Sequence, residues 1–511
     1  MLLLWLYQAL PTSLTRILLT AGLCVPCALV IHGIYNLYFH PLRNVPGPKL
    51  GALTDLYAFY WNWIRGVGYS KQFDRWHKHY NSSVIRIGPN DVHTTQVELY
   101  DVIHKAGSTW LKDKSFYKHF GGLDAMIDPR EYRTYRTHLA PLYSQRAVDG
   151  LVSKMDDDLA ICGQKTTKMA ENGKAVNMAR VLTTLSTSMI LYNLFSMDIS
   201  LWECNDYHPF LEAFEHIMAQ IWLFLSYPRL ATCLSLIPGT SLARLAPSWT
   251  TFMNSCAAWC DEDARKQRAS DDQSIRDSHS KRYYALKHTD ANDKKSIIPA
   301  PLDELFSFIA GGTDTTAYTT GCAFFYILSS PSVCRKLVKE LDENASFIRN
   351  GLDYHKIQTL PYLNAVIKET LRISVPVPGC LPRVVPEGGI TVGSFHLPAG
   401  TALSITQQAI SLNQDIFPSP LCFSPERWIG PAAAGLDKWN VAFGRGSRQC
   451  IGTTLAYLEL RCVVAYFFSR FDMTLTAKNG DGHRWVDRFV AVNLDTVEVL
   501  VLSDRWSGAR Y

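Results

Sequence analysis

Charge is scarce in this chain. Lys, Arg, Asp and Glu make up 19 % of its 511 residues, and the net charge is +5. There is no Lys/Arg stripe with interleaved aromatics, so a nucleic-acid surface is not its organising feature. No G-x-G-x-x-G fingerprint follows a strand-like run, which argues against a flavin or nicotinamide held on the chain itself. No internal repeat is visible. Paired cysteines are missing as well. The 13 cysteines are odd in number and scattered, and Cys24-x-x-Cys27 sits in an apolar run rather than near a sheet-like segment. That pattern excludes a disulfide scaffold and points to reduced thiols in a cytosol-facing body. Apolar residues, by contrast, reach 47 %, enough for a large core and too many for wholesale disorder. Length alone predicts about three domains.

The N-terminus is apolar. Residues 1–10 end at Pro11, and residues 17–39 contain no Lys, Arg, Asp or Glu. The second run is long enough to span a bilayer. Tyr35, Tyr38 and Phe39 form an aromatic belt at one end. No basic region precedes the run, which argues for a retained anchor over a cleaved signal peptide. Arg16 lies on one side, Arg43 and Lys49 on the other, an asymmetry that leans towards a cytosolic body. His40 to Pro48 holds three prolines and reads as a stiff extended hinge. The reading is an anchor and hinge over residues 1–44 and one body over 45–511.

The body is organised around Phe443-Gly444-Arg445-Gly446-Ser447-Arg448-Gln449-Cys450-Ile451-Gly452. Most free cysteines are inert and buried, but the spacing F-x-x-G-x-R-x-C-x-G rarely arises by accident. Gly444 and Gly446 permit tight turns and the approach of a flat macrocycle. A helix-like run at 454–468 would offer Cys450 backbone N–H groups and a dipole that favour the thiolate. Upstream, the apolar pattern of 302–328 is interrupted by Ala310-Gly311-Gly312-Thr313-Asp314-Thr315-Thr316. Adjacent glycines inside a helix cost about 1 kcal/mol each relative to Ala, so they need a reason. A loosened helix with a groove for O2 and water, flanked by hydroxyls and a carboxylate, would be one; a turn between two shorter helices is the alternative.

These segments resemble the cytochrome P450 superfamily, in particular its fungal microsomal members of the trichodiene-oxygenase type, over about residues 40–505. The resemblance implies a mainly α fold with small β-sheets, preceded by one transmembrane helix. It implies haem b with Cys450 as the axial thiolate and metal ligand, packed by Phe443. Arg448, Arg136, Tyr132 and Arg383 are expected at the haem propionates. Tyr132 stands where fungal members often have His, and Thr454 where many have Asn. Thr315 is expected to hydrogen-bond at the oxygen site and Asp314 to connect it to solvent. Glu369, Arg372 and Arg427 are expected to form a buried triad behind the Cys450 loop.

Other segments read as follows. Residues 83–95 form a hairpin turning at Gly88-Pro89-Asn90. Residues 110–128 are a loop over the substrate. Asp128 caps a helix with Pro129 in its first turn. Residues 207–249 are a lid, 261–295 a solvated linker, and 388–405 hairpin strands, the second hairpin turning at Pro398-Ala399-Gly400. Phe489–Val490 reaches back into a pocket shaped also by Leu305, Phe306, Ile309, Val375 and Val377. The expected function is a monooxygenase in the endoplasmic reticulum membrane acting on a lipophilic small molecule, with a terpenoid scaffold the first candidate. Electrons would come from NADPH through a separate reductase, with cytochrome b5 a second candidate donor. Desaturation, rearrangement or coupling on the same fold, and a non-catalytic haem carrier or sensor, are the alternatives.

Overall fold

A computed structural model describes residues 24, 27–204, 207–227, 241, 244–269, 301–476 and 484–511. Helices dominate, as expected. Those of eleven residues or more are, in chain order, α1 (Pro129–Leu139), α2 (Val152–Glu171), α3 (Met178–Phe195), α4 (Pro209–Ala219), α5 (Pro247–Ala269), α6 (Pro301–Leu328), α7 (Pro331–Glu343), α8 (Pro361–Ser374) and α9 (Thr453–Arg470). The strands are short: β1 (Val84–Arg86), β2 (Asp91–Thr94), β3 (Leu111–Lys112), β4 (Val176–Asn177), β5 (Arg383–Val384), β6 (Ile390–Val392), β7 (Phe395–Leu397), β8 (Ala402–Ser404), β9 (Phe471–Leu475), β10 (Trp485–Arg488), β11 (Val490–Asn493), β12 (Glu498–Asp504) and β13 (Ala509–Arg510). A five-stranded sheet runs β1-β2-β8-β5-β3, and β10 pairs only with β11.

The starts of the elements follow local chemistry. Asp128 Oδ1 accepts the N–H groups of Arg130 (2.6 Å) and Glu131 (3.2 Å), and Pro129 opens α1 where its missing donor costs nothing. The turn at 88–90 joins β1 to β2, antiparallel with Val84 opposite Thr94. The largest core gathers α3, α6 and α9, with Phe324 against Phe467 and Phe468 at 5.4 and 5.2 Å between rings.

α6 departs from expectation: it is one continuous helix through Ala310–Thr316. Its two glycines serve different ends. A Cβ on Gly312 would lie 2.8 Å from Ile190 of α3, and the Thr313 and Thr187 hydroxyls meet at 3.1 Å one residue on. Gly312 is therefore a packing glycine. Gly311 faces open space.

Four other expectations need correction. Residues 110–128 are not all loop: they hold β3 and two short helices, Lys114–Tyr117 and Gly122–Ala125. β7 does not turn back onto β8. β8 joins the five-stranded sheet, parallel to β2 and antiparallel to β5, because Val385 and Thr401 bond across that edge instead. Residues 261–269 are the last turns of α5 rather than linker, the amphipathic helix running on through its charged end. Among the described residues no helix is long and apolar enough to cross a membrane. Of the expected span, residues 24 and 27–34 are helical and Tyr35–Phe39 continues as a π-helix. The rest of that span, residues 1–10, the 234–238 part of the lid and residues 270–295 lie outside the described residues.

The chain around the proline hinge is docked on the body. Leu42 and Val45 are buried in a core formed with β1, β2 and β8. Asn36 is buried, donating to Leu53 O (3.3 Å) and accepting from Arg86 Nη1 at its own carbonyl (2.8 Å).

Candidate active site

Cys450 stands at the end of a strained loop. Gly444 and Gly446 have φ of +68° and +71°, a region that other residues rarely adopt. A Cβ on Gly446 would fall 2.0 Å from His104 O. The loop closes where Cys450 N–H donates to Phe443 O (2.8 Å), and the Phe443 ring packs on Tyr457 of α9 at 5.3 Å. Gly452 is the residue before α9, so the thiol sits at a helix N-terminus. Cys450 is accessible, yet surrounding protein desolvates it and pushes its thiol up; the Gly452 N–H and the Thr453 hydroxyl act in the opposite direction. An accessible atom that is also desolvated lies in an interior cleft.

α6 borders that cleft. Gly311, Thr315 and Phe308 share one helical face, at spacings of four and three. Gly311 is exposed although α6 packs against α3, α8 and α9. Thr315 Oγ1 donates to Gly311 O at 2.6 Å and keeps both lone pairs free to accept. Asp314 is desolvated by burial and carried up to about 7, further raised by Glu215 of α4 and lowered by Arg488 of β10. Glu215 in turn accepts from Tyr207 Oη at 2.6 Å. A carboxyl poised near neutrality beside a hydroxyl can pass protons in either direction.

On the other side four cations converge. β3 pairs with β5 so that Lys112 lies directly opposite Arg383. Both are buried, and like charges facing each other across a sheet are destabilising. Arg383 donates to Tyr117 Oη (2.8 Å). Arg448 lies over the Tyr132 ring at 3.7 Å and donates to Met126 O and Ile127 O. Arg136 donates to Tyr132 Oη (2.7 Å) and Gln449 O (2.6 Å), which leaves the Tyr132 proton free to donate elsewhere. Burial pulls Lys112 down to about 7; Asp124 opposes this, while Arg383 and Arg448 add to it. Burial also brings Arg448 down to about 10, Tyr132 raising and Arg383 lowering it. Such a set is complementary to a buried dianion. The two carboxylates of a haem, with its iron towards Cys450, fit the donors present.

Behind the loop, Glu369 is fully buried. It accepts from Arg372 Nε and Nη2 (2.8 and 2.7 Å), Arg427 Nε (3.1 Å), Trp428 Nε1 (2.9 Å) and Ser424 N (2.9 Å). Arg372 Nη1 then holds Ser411 O and Pro420 O at 2.8 Å each. One carboxylate thus ties α8 to the irregular chain that leads to Cys450.

The structure brings Cys450, Phe443, Arg448, Arg136 and Tyr132 together on one side, with Arg383 beside them, and sets Thr315 and Asp314 on α6. Lys112, Tyr117, Glu215 and Arg488 are additions. Lys112 was hidden in a stretch that reads as loop, and only the β3–β5 register puts it opposite Arg383. Lys112→Leu is expected to weaken haem retention roughly 10- to 100-fold, the worth of one charge-assisted hydrogen bond. Transfer of haem to apomyoglobin would measure it, and an unchanged rate would remove Lys112 from the cradle.

Residues 57–484 match the family model Cytochrome P450. The chain is 69 % identical to "Cytochrome P450 monooxygenase cloA" of Claviceps purpurea, over 98 % of this chain and 99 % of that protein. It is 41 % identical to "Cytochrome P450 monooxygenase phqM" of Penicillium fellutanum, over 91 % and 88 % of the two chains. It is 35 % identical to "Cytochrome P450 monooxygenase ankB" of Aspergillus thermomutatus, over 92 % and 91 %.

Proposed function

This chain belongs to the cytochrome P450 family and is a monooxygenase, and from that premise we propose that it oxidises a lipophilic small molecule in the cleft between Cys450 and α6. The observation that carries the reading is a desolvated yet accessible thiol facing a cleft that Thr315 and Asp314 border, with four cations set for a dianion. When bound, the haem-thiolate iron supplies the O2-activating chemistry. Lys112, Arg136, Arg383 and Arg448 hold its carboxylates, and Tyr132 donates a further hydrogen bond. Thr315 positions a proton in the groove opened by Gly311. Asp314 replenishes that proton from the side of Glu215 and Tyr207.

The substrate pocket is aromatic. Phe116, Tyr117 and Phe120 from the 110–128 segment meet Phe489, whose ring lies 4.7 Å from Phe120 and 6.4 Å from Trp222. Such a lining suits a terpenoid or a similar rigid apolar scaffold. The exposed side chains of Leu29, Val30, Ile31, Ile34, Tyr38 and Phe39, with Leu50, Leu56, Trp63 and Ile64 nearby in the chain, support membrane anchoring. The body then faces the cytosol from the endoplasmic reticulum membrane and takes electrons from NADPH through a separate reductase, with cytochrome b5 as an additional donor.

A panel of lipophilic scaffolds incubated with reductase, NADPH and labelled O2 tests this. Label in a product is expected; oxidised product without label would replace oxygen insertion by desaturation or coupling. Thr315→Ala is expected to lower labelled product about 100-fold while NADPH consumption continues. Equal product from that variant would remove Thr315 from the relay.

A further inference from the structure

The tip of the β10–β11 hairpin touches two parts of the site at once. Arg488 pairs directly with Val490, so Phe489 alone makes the turn, with φ of +70° in the left-handed region. Its ring is part of the pocket wall against Phe120 and Trp222. Three elements hold the tip from behind through buried Asp487. Its Oδ2 accepts from Ser70 Oγ (2.7 Å), its Oδ1 from Phe489 N (2.9 Å), and its carbonyl from Trp222 Nε1 (2.8 Å).

The same hairpin lies along α6. Ala491 packs on Tyr318 and Cys322, and Asn493 Nδ2 comes within 3.4 Å of where a Gly321 Cβ would be. From Asn493 back to Ala491 the strand moves towards the N-terminus of α6. One further step reaches the turn, beside the preceding residue of that helical face, Asp314.

We propose that this tip is a coupling element: Phe489 senses whether the pocket is filled, and its neighbour Arg488 conveys this to Asp314. The inference rests on the reading of Asp314 as the relay acid. Arg488 is here a positioning residue that acts through Asp314. The charged and titratable groups facing Asp314 are Arg488 from the hairpin and Glu215 from α4, with Tyr207 bonded to the latter. Their effects oppose each other. Arg488 favours the carboxylate and Glu215 the neutral acid, so losing Arg488 raises the midpoint of Asp314 and losing Glu215 lowers it. Protons leave a poised carboxyl on either side of neutrality, so a small displacement of Arg488 changes the fraction of Asp314 that is protonated.

The test uses the full-length, haem-loaded protein. The carboxylic-acid infrared band of Asp314, isolated by difference against Asp314→Asn, is titrated with and without 4-phenylimidazole filling the pocket. In the parent the midpoint is expected near 7 and shifts when the probe binds. Arg488→Gln raises it by about half a unit or more, Glu215→Gln lowers it, and Arg488→Lys restores it. In Phe489→Ala the probe-induced shift disappears. Midpoints unmoved by both charge removals, or a full probe-induced shift in Phe489→Ala, would overturn the coupling. If Asp314→Asn leaves labelled product and NADPH use unchanged in the scaffold panel, the relay reading fails instead. Collapse of product in Asp314→Asn with an unmoved midpoint in Arg488→Gln defeats the coupling alone.

Discussion

Cys450→Ser is expected to abolish oxygenase turnover, by at least about 10³-fold. It should also erase the strongly red-shifted Soret band of the reduced, carbon-monoxide-bound parent. The substitution changes one atom in a loop whose shape is set elsewhere, by the Cys450 N–H to Phe443 O bond and the positive φ of Gly444 and Gly446. Fold and carboxylate cradle therefore survive, and haem can still enter. What is lost is the thiolate. A hydroxyl at this position stays protonated, because the Gly452 N–H and Thr453 hydroxyl that favour a thiolate cannot ionise an alcohol. The spectrum separates two failures. A red-shifted band retained in the serine variant would mean that another cysteine ligates the iron. A parent without haem would undo the oxygenase chemistry altogether.

Glu369→Ala is expected to yield little or no haem-loaded protein. The change leaves two guanidinium groups, Arg372 fully buried and Arg427 nearly so, without their shared anion. Breaking a buried ion pair from one side costs about 3–5 kcal/mol, a large share of the roughly 5–15 kcal/mol that holds a typical domain together. The loss falls on the chain between α8 and Cys450, since Arg372 also carries Ser411 and Pro420 and Trp428 Nε1 would lose its acceptor. Glu369→Gln keeps the volume and some acceptors and should fall between. The haem-to-protein ratio and the Tm of purified variants are the measurements. A Glu369→Ala protein with full haem content and parental Tm would show that the cluster is ornamental.

Much of this was legible in the sequence because short-range chemistry dictated it. The Asp128–Pro129 start of α1, the Gly88-Pro89-Asn90 turn and the E-x-x-R pair are each settled by neighbours within a few residues. What stayed hidden depended on distant partners. The continuity of α6 through Gly311 and Gly312 follows from Ile190 on α3, which no local rule supplies. β8 abandons its chain neighbour β7 for β2, more than three hundred residues away, since the exposed edge there accepts it in parallel. Lys112 and Arg383 are similarly remote, and their opposition is a matter of register alone. Arg488 lay inside a recognised segment, but its relation to Asp314 requires knowing which side of α6 the hairpin covers.

The Lys112–Arg383 facing pair also bears on how the protein is made in a cell. A newly synthesised chain must close the β3–β5 edge with two positive charges confronting each other, and nothing in the chain neutralises both. The edge strand is also the root of the 113–128 segment that shelters the cleft. Until an anionic cofactor arrives, that edge is the weakest seam of the sheet, and the shelter hangs from it. Cofactor supply thus becomes a checkpoint in biogenesis: maturation seals the seam, and chains left waiting present it to the proteases that clear unfinished protein.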